Sequence, residues 1–182
     1  MKVGVKLTGK HHMISGIVTG GCVCASLIAN GNTNYKILIG TGIATVFGSL
    51  LPDIDSQTSK LGKKFRITSK IVSKLFGHRG FLHSPLFIIL LFLFINKILS
   101  KNGINQTFYC LNYGLMFGCL NHLFCDMLTK GGIPLFYPFQ KIKFSILPMK
   151  SGSKYEIIPL ILTCILQIII TFIFVSKNIF ID

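Results

Sequence analysis

The sequence predicts an all-α fold, a polytopic membrane bundle of about five membrane segments with an amphipathic helix lying in the cytoplasmic headgroup plane. Three observations predict it. Of the 182 residues 51% are apolar and 13% charged, with a mean hydropathy of +0.64, well outside the range of soluble globular domains. Five apolar stretches, residues 13–29, 37–51, 85–95, 108–127 and 157–176, are spans or near-spans by length. Lys and Arg alternate in abundance between the regions that separate these stretches, the pattern that the positive-inside rule generates.

Taken in order, residues 13–29 follow three lysines and carry Gly16 and Gly20 four apart, which places small residues on one helical face for close packing. The alternative is a signal peptide over residues 1–30, and cleavage near Ala29 would discard His11 and His12. The stretches 37–51 and 85–95 are short, so they tilt, extend into their flanks or re-enter the membrane. In the loop between them, residues 60–76 read as a helix. Leu61, Phe65, Thr68, Val72, Leu75 and Phe76 share one face, and Lys63, Arg66, Lys70 and Lys74 share the other. Such a helix lies at the membrane surface. Ser84 and Pro85 suit the cap and first turn of the third segment. Residues 141–146 alternate polar and apolar and predict a short extended piece. Only the run 157–176 is a clean 20-residue apolar stretch of the length a hydrocarbon core demands. No repeat, low-complexity tract or linker divides the chain, so residues 1–182 read as a single integral-membrane domain.

The formal net charge is +14. Of the 19 Lys and Arg, 15 fall before the first segment and in the two long loops, and 4 in the alternate regions. The N-terminus and both long loops are therefore expected in the cytoplasm, and the C-terminus outside. Clustered basic residues also mark nucleic-acid binders, but here they sit beside apolar segments, where anionic headgroups attract them. Membrane lipids are the expected partner, rather than nucleic acid. The six cysteines lie in apolar segments without a C-x-x-C pair and read as small buried hydrophobes. Cys119 and Cys125 flank His122 and leave room for a thiolate ligand.

All five histidines and four of the five acidic residues stand at the edges of apolar segments. A carboxylate near hydrocarbon is costly without a partner, and a divalent cation would hold several at once. His122 and Asp126 are four apart and stack on one helical face. Asp53 and Asp55 end the second segment one residue apart, two like charges that call for a cation between them. His78 and His83 precede the third segment, with Arg79 placed to clamp an anionic substrate in a bidentate contact. Glu156 opens the fifth segment, where the helix dipole alone would favour an acid and where it could equally serve as ligand or general base. These groups exceed the four ligands of a structural zinc and suit one catalytic ion with a base, or two ions.

The motifs Gly-Lys-His-His-Met-Ile-Ser-Gly at 9–16, Leu-Leu-Pro-Asp-Ile-Asp at 50–55, Phe-Gly-His-Arg-Gly-Phe-Leu-His-Ser at 76–84, and His-Leu-Phe-Cys-Asp-Met-Leu-Thr-Lys-Gly-Gly-Ile-Pro-Leu at 122–135 resemble the YdjM-type family of inner-membrane-associated metal-dependent hydrolases. The resemblance covers nearly the whole chain. It implies metal-site roles for His12, Asp53, Asp55, His78, His83, His122 and Asp126, and extends to Glu156 through its Gly-Ser-x-x-Glu stretch. His11 stands where many members have Thr, and is the weaker candidate. Leu82 and Ser56 also depart from the family pattern, away from the ligand positions.

The expected function is a membrane-bound hydrolase with a His/Asp metal site at the cytoplasmic interface of the inner membrane. Its cofactor would be a divalent ion, zinc before manganese, one or two in number. The substrate would be a small molecule, a phosphoester or lipid-like compound, with Glu156 and Arg79 as catalytic residues. Two other classes compete. A transporter predicts acids at span centres and inverted repeats, which the chain lacks. A non-catalytic regulator would use the basic loops to bind DNA or a repressor, and some members of the resembling family are described as binding the LexA repressor.

Overall fold

A computed structural model describes residues 9–77, 79–101, 105–140, 142–147 and 157–179. Helices dominate, in the order α1 (Gly9–Ala29), α2 (Tyr35–Gly48), α3 (Lys60–Lys64), α4 (Arg66–Phe76), α5 (Pro85–Lys101), α6 (Gln106–Met127) and α7 (Ile157–Ile179). All five apolar stretches are helical, and the fold is an all-α membrane bundle. The two short stretches gain length from their flanks. α5 runs on to Lys101, and α2 continues through a bend into a 3-10 turn at Pro52–Asp55. Three helical units among the described residues are long and apolar enough to cross a membrane: Gly9–Ala29, Tyr35–Asp55 and Ile157–Asn178. α5 has 17 residues, and α6 is interrupted by Asn112, Asn121, His122 and Asp126, all buried.

The distribution of polarity is inverted relative to a soluble protein. Ile39, Ile43, Leu93, Phe94 and Phe172 are exposed, whereas Ser15, Thr41, Thr45, Ser49, His83 and His122 are fully buried. With hydrocarbon as the surrounding solvent, burying Leu against Leu gains little, and helices associate through close backbone approach and interhelical hydrogen bonds. α6 lies at the centre, against α1, α2 and α5. Its Gly114 and Gly118 meet the Thr41 and Thr45 carbonyls of α2, and Gly48 of α2 meets the Leu115 carbonyl, with no room for a Cβ at any of the three. Gly16 packs on Ser49 in the same way, and Gly20 lies against Gly42, which accounts for the four-residue glycine spacing in α1. Asn112 Nδ2 donates to Asn96 Oδ1 at 2.9 Å and pins α5 to α6. α7 packs chiefly on α1.

The loop helix differs from the expected continuous 60–76. It breaks at Phe65, whose backbone (φ −112°, ψ 57°) leaves the helical region. Ser59 caps α3 by accepting from the Gly62 amide at 2.9 Å, and Gly62 is wedged against the Ser56 carbonyl. α4 then restarts with Ser69 buried. Its outward apolar stripe is Ile67, Ile71 and Leu75, exposed at 78%, 53% and 68%. Leu61 and Phe65 belong to the preceding turn. Among residues 128–147, Ile133 and Phe144 form an isolated antiparallel bridge, the described part of the extended piece expected at 141–146.

Candidate metal centre

Four elements deliver polar side chains to one buried point. α1 supplies His12, one turn from its start. α2 ends at Gly48 with Ser49 as its cap, and Pro52 begins the 3-10 turn that carries Asp53 and Asp55, a first-turn position where its missing N–H is not needed. The 3-10 turn Phe81–His83 brings His83, and α6 brings His122 and Asp126. His12, Asp53, Asp55, Arg79, His83, His122 and Asp126 are all buried, none more than 7% exposed. His12, His122 and Asp126 form one group whose donor atoms lie within 4.8 Å of one another, and Asp53, His83 and His122 form a second. His78 and Glu156 lie outside the described residues. His11 is half-buried and belongs to neither group, and neither does Cys119 or Cys125.

Proton placement follows from the partners behind the rings. His122 Nδ1 lies 2.7 Å from the Ser49 carbonyl oxygen. A carbonyl only accepts, so the proton sits on Nδ1 and the Nε2 lone pair faces inward. His83 Nδ1 faces the Asp55 carboxylate, with Oδ2 at 3.2 Å, a contact of ion-pair length. The Nε2 atoms of His83 and His122 approach to 3.3 Å, close enough to share one proton or to bind one ion between them. Asp126 Oδ2 lies 3.5 Å from His83 Nε2 and 3.8 Å from His122 Nε2, and Asp126 Oδ1 lies 3.6 Å from His12 Nε2. His12 stacks on His122 with ring centroids 3.9 Å apart, and its buried Nδ1 has no hydrogen-bond partner among the described residues.

A pocket of inward-facing acceptors repels itself unless a cation sits among them. Nitrogen or oxygen donors about 2.1 Å from a tetrahedral ion stand about 3.4 Å from one another. The spacings of 3.3 to 3.8 Å match that geometry, and the donor set of imidazoles and carboxylate suits a divalent transition metal. Asp55 stands behind His83, where a carboxylate orients a ligating ring and raises its basicity.

Arg79 ties the two carboxylates together. Its amide donates to Asp55 Oδ2 at 2.8 Å, and its guanidinium donates to Asp126 Oδ1 at 2.8 Å. Reaching both demands a left-handed backbone, φ 55°, which a non-glycine residue adopts only when its surroundings compel it. The guanidinium rests on Gly131, where any side chain would collide with it. Lys143 stands nearby. Partial burial, then the Arg79 guanidinium, holds its ammonium below the ordinary lysine range, against the opposite pull of Asp55 and Asp126.

The profile of the YdjM inner membrane protein family matches residues 7–180. The chain belongs to the YdjM family. The Bacillus subtilis (strain 168) uncharacterized protein YvsG is 36% identical over 151 residues, 82% of this chain and 85% of that one. The Escherichia coli (strain K12) inner membrane protein YdjM is 36% identical over 115 residues, 62% of this chain and 57% of that one, and the Shigella flexneri inner membrane protein YdjM matches equally. The chain thus spans little more than half the length of these two relatives. No solved structure matches. The four motifs that carried the family resemblance converge in the structure on one buried cluster, apart from His78, which is not among the described residues.

Sequence reasoning missed what surrounds this YdjM-family cluster. Asn121 Nδ2 donates to Ser15 Oγ at 2.9 Å, Gln167 Nε2 donates to Asn121 Oδ1 at 2.6 Å, and Thr19 Oγ1 donates to Gln167 Oε1 at 3.1 Å. This seam joins α1, α6 and α7 one turn beyond His12 and beside His122. The signal was present in Asn121 and Gln167, amides set inside apolar runs.

Proposed function

We propose that the chain is a single-domain, multi-pass inner-membrane hydrolase that holds a divalent ion with His12, His83, His122 and Asp126 at the cytoplasmic face. The observation that supports this best is the inward-facing cluster of imidazole Nε2 and carboxylate atoms at 3.3 to 3.8 Å. An imidazole-rich set favours zinc before manganese. Asp53, grouped with His83 and His122, would complete the shell or begin a second site that shares His122. When bound, such an ion supplies Lewis-acid chemistry toward a phosphoryl or carbonyl oxygen. The chain's own residues do the rest. Asp55 and the Ser49 carbonyl hold the rings in their tautomers, and Arg79 neutralises Asp126 while facing the space where an anionic phosphoester or lipid-like substrate would lie. Glu156 is the proposed general base.

The distribution of 15 of 19 basic residues supports an N-in orientation, with membrane lipids as surroundings. Metal analysis of the purified protein beside a His122→Ala, Asp126→Ala double variant tests the reading, together with hydrolysis of a generic phosphodiester. Bound zinc or manganese and metal-dependent turnover, both lost in the variant, are expected. Metal that is bound without any hydrolysis would move the conclusion to a non-catalytic regulator.

A further inference from the structure

Beside the cluster lies a cavity of about 380 Å³, walled by Leu75 and Phe76 at the end of α4, by Arg79, and by Pro134, Tyr137 and Lys143 of the following loop. It shares a wall with the metal cluster, because Arg79 lines the cavity and also holds Asp126 Oδ1 at 2.8 Å. Two cationic side chains therefore face one space. Arg79 is spoken for on one edge of its guanidinium, and Lys143 forms no ion pair among the described residues. The Asp126 carboxylate offsets the Arg79 charge on one edge only, and Asp55 and Asp126 act on Lys143 without an ion-pair contact, so an anion that bonds the guanidinium and the ammonium directly would gain charge-assisted hydrogen bonds in a half-enclosed space. A planar guanidinium and a mobile ammonium are also the pair that proteins use for phosphate.

Apolar side chains are exposed on both elements that wall the cavity. Leu75, which lines it, is 68% exposed, and Phe136, Phe139 and Ile142, next in sequence or close to the lining Tyr137 and Lys143, are 66%, 92% and 74% exposed. Apolar side chains so bare on both the helix and the loop fit an interface between headgroups and acyl chains. The volume lies at the small end of small-molecule sites, enough for a headgroup, so acyl chains would run out over the rim.

We propose that this cavity is a phosphate subsite, in which the phosphate group of a phosphoester is held between the Arg79 guanidinium and the Lys143 ammonium, with the apolar rim carrying the remainder of a lipid. The subsite rests on the hydrolase reading for its chemical purpose, since it would set a phosphoester against Asp126 and the cluster. Its binding, however, is measurable without turnover.

The test is acylation of lysines by an amine-reactive reagent, followed by mass spectrometry, on the full chain in phosphatidylcholine nanodiscs. One arm adds phosphatidic acid to the bilayer, and another adds inorganic phosphate to the buffer. Lys70, exposed on the basic face of α4, reports general screening by surface charge. A several-fold slowing of Lys143 relative to Lys70 by phosphatidic acid alone upholds the subsite with a lipid occupant. The same slowing by inorganic phosphate upholds it with a soluble one. Unchanged Lys143 in both arms, or equal slowing of Lys70, overturns it. Metal-dependent hydrolysis of a soluble ester without protection of Lys143 would remove the subsite and leave the hydrolase, and protection without any hydrolysis would do the reverse.

Discussion

His83 and His122 differ from ordinary core histidines in what stands behind them. A packing histidine satisfies one ring nitrogen and turns the other to whatever donor is near, whereas each of these rings has an acceptor behind Nδ1, the Ser49 carbonyl at 2.7 Å for His122 and the Asp55 carboxylate at 3.2 Å for His83, and the two meet at Nε2. Removing an inward donor and removing an orienting group should therefore have different consequences. Asp126→Asn is expected to lose bound metal almost completely. It should also destabilise the protein, because Arg79 would keep a buried charge without its carboxylate, a change worth about 3–5 kcal/mol. Asp55→Asn should retain metal with an affinity about 10–100-fold weaker, the usual effect of losing the group behind a ligating imidazole. Competition with a chromophoric chelator measures both, and equal losses would place Asp55 among the ligands. Glu156→Gln, if Glu156 is a base, should leave metal content unchanged and reduce turnover alone.

At the scale of helices, glycines determine where the site residues meet. α2 and α6 approach so closely at Gly118 that a Cβ would strike the Thr45 carbonyl and stand 2.8 Å from the Ser49 amide, and the Ser49 carbonyl is what holds His122. Gly118→Ala is expected to cost about 1–3 kcal/mol through overpacking and to weaken metal binding along with stability. Gly21→Ala, with nothing within 4 Å of its Cβ, should be neutral or mildly stabilising. Thermal unfolding in detergent micelles, followed with and without metal, separates the two. The long helices were legible from hydropathy because each is a largely apolar run, and residues 60–76 were legible from helical periodicity. The break at Phe65 was not, since periodicity over residues 60–76 is equally consistent with one helix or two, and the two pieces each pack on the 3-10 turn Pro52–Asp55, a contact distant from the pattern itself.

For the whole molecule, the inverted polarity makes orientation testable. Reporter fusions at Gly31, Gly62 and Asn105 are expected to read outside, inside and outside, in keeping with the basic residues concentrated in the region of α3 and α4. An outside reading at Gly62 would put the cluster on the far face and end the cytoplasmic assignment. On that expectation the exposed stripe Ile67, Ile71, Leu75, flanked by Lys70 and Lys74, would lie along the inner headgroup layer.

Composition by itself determined that the chain is a membrane protein, and its long apolar runs determined that it is helical, since a helix satisfies its backbone within one such run in lipid. Motif spacing determined the family and most of the cluster, since His122 and Asp126 share a helical face by periodicity alone. Only the tertiary structure decided which groups face inward and which stand behind. Asp53 and Asp55 are separated by the single residue Ile54 and are chemically identical. One groups with His83 and His122, and the other takes the far side of the His83 ring. That distinction depends on a 3-10 turn rotating neighbouring side chains to different sides, and on contacts from helices distant in sequence. Lys143 and Gly131 likewise acquire their place only when the loop after α6 folds back beside Arg79.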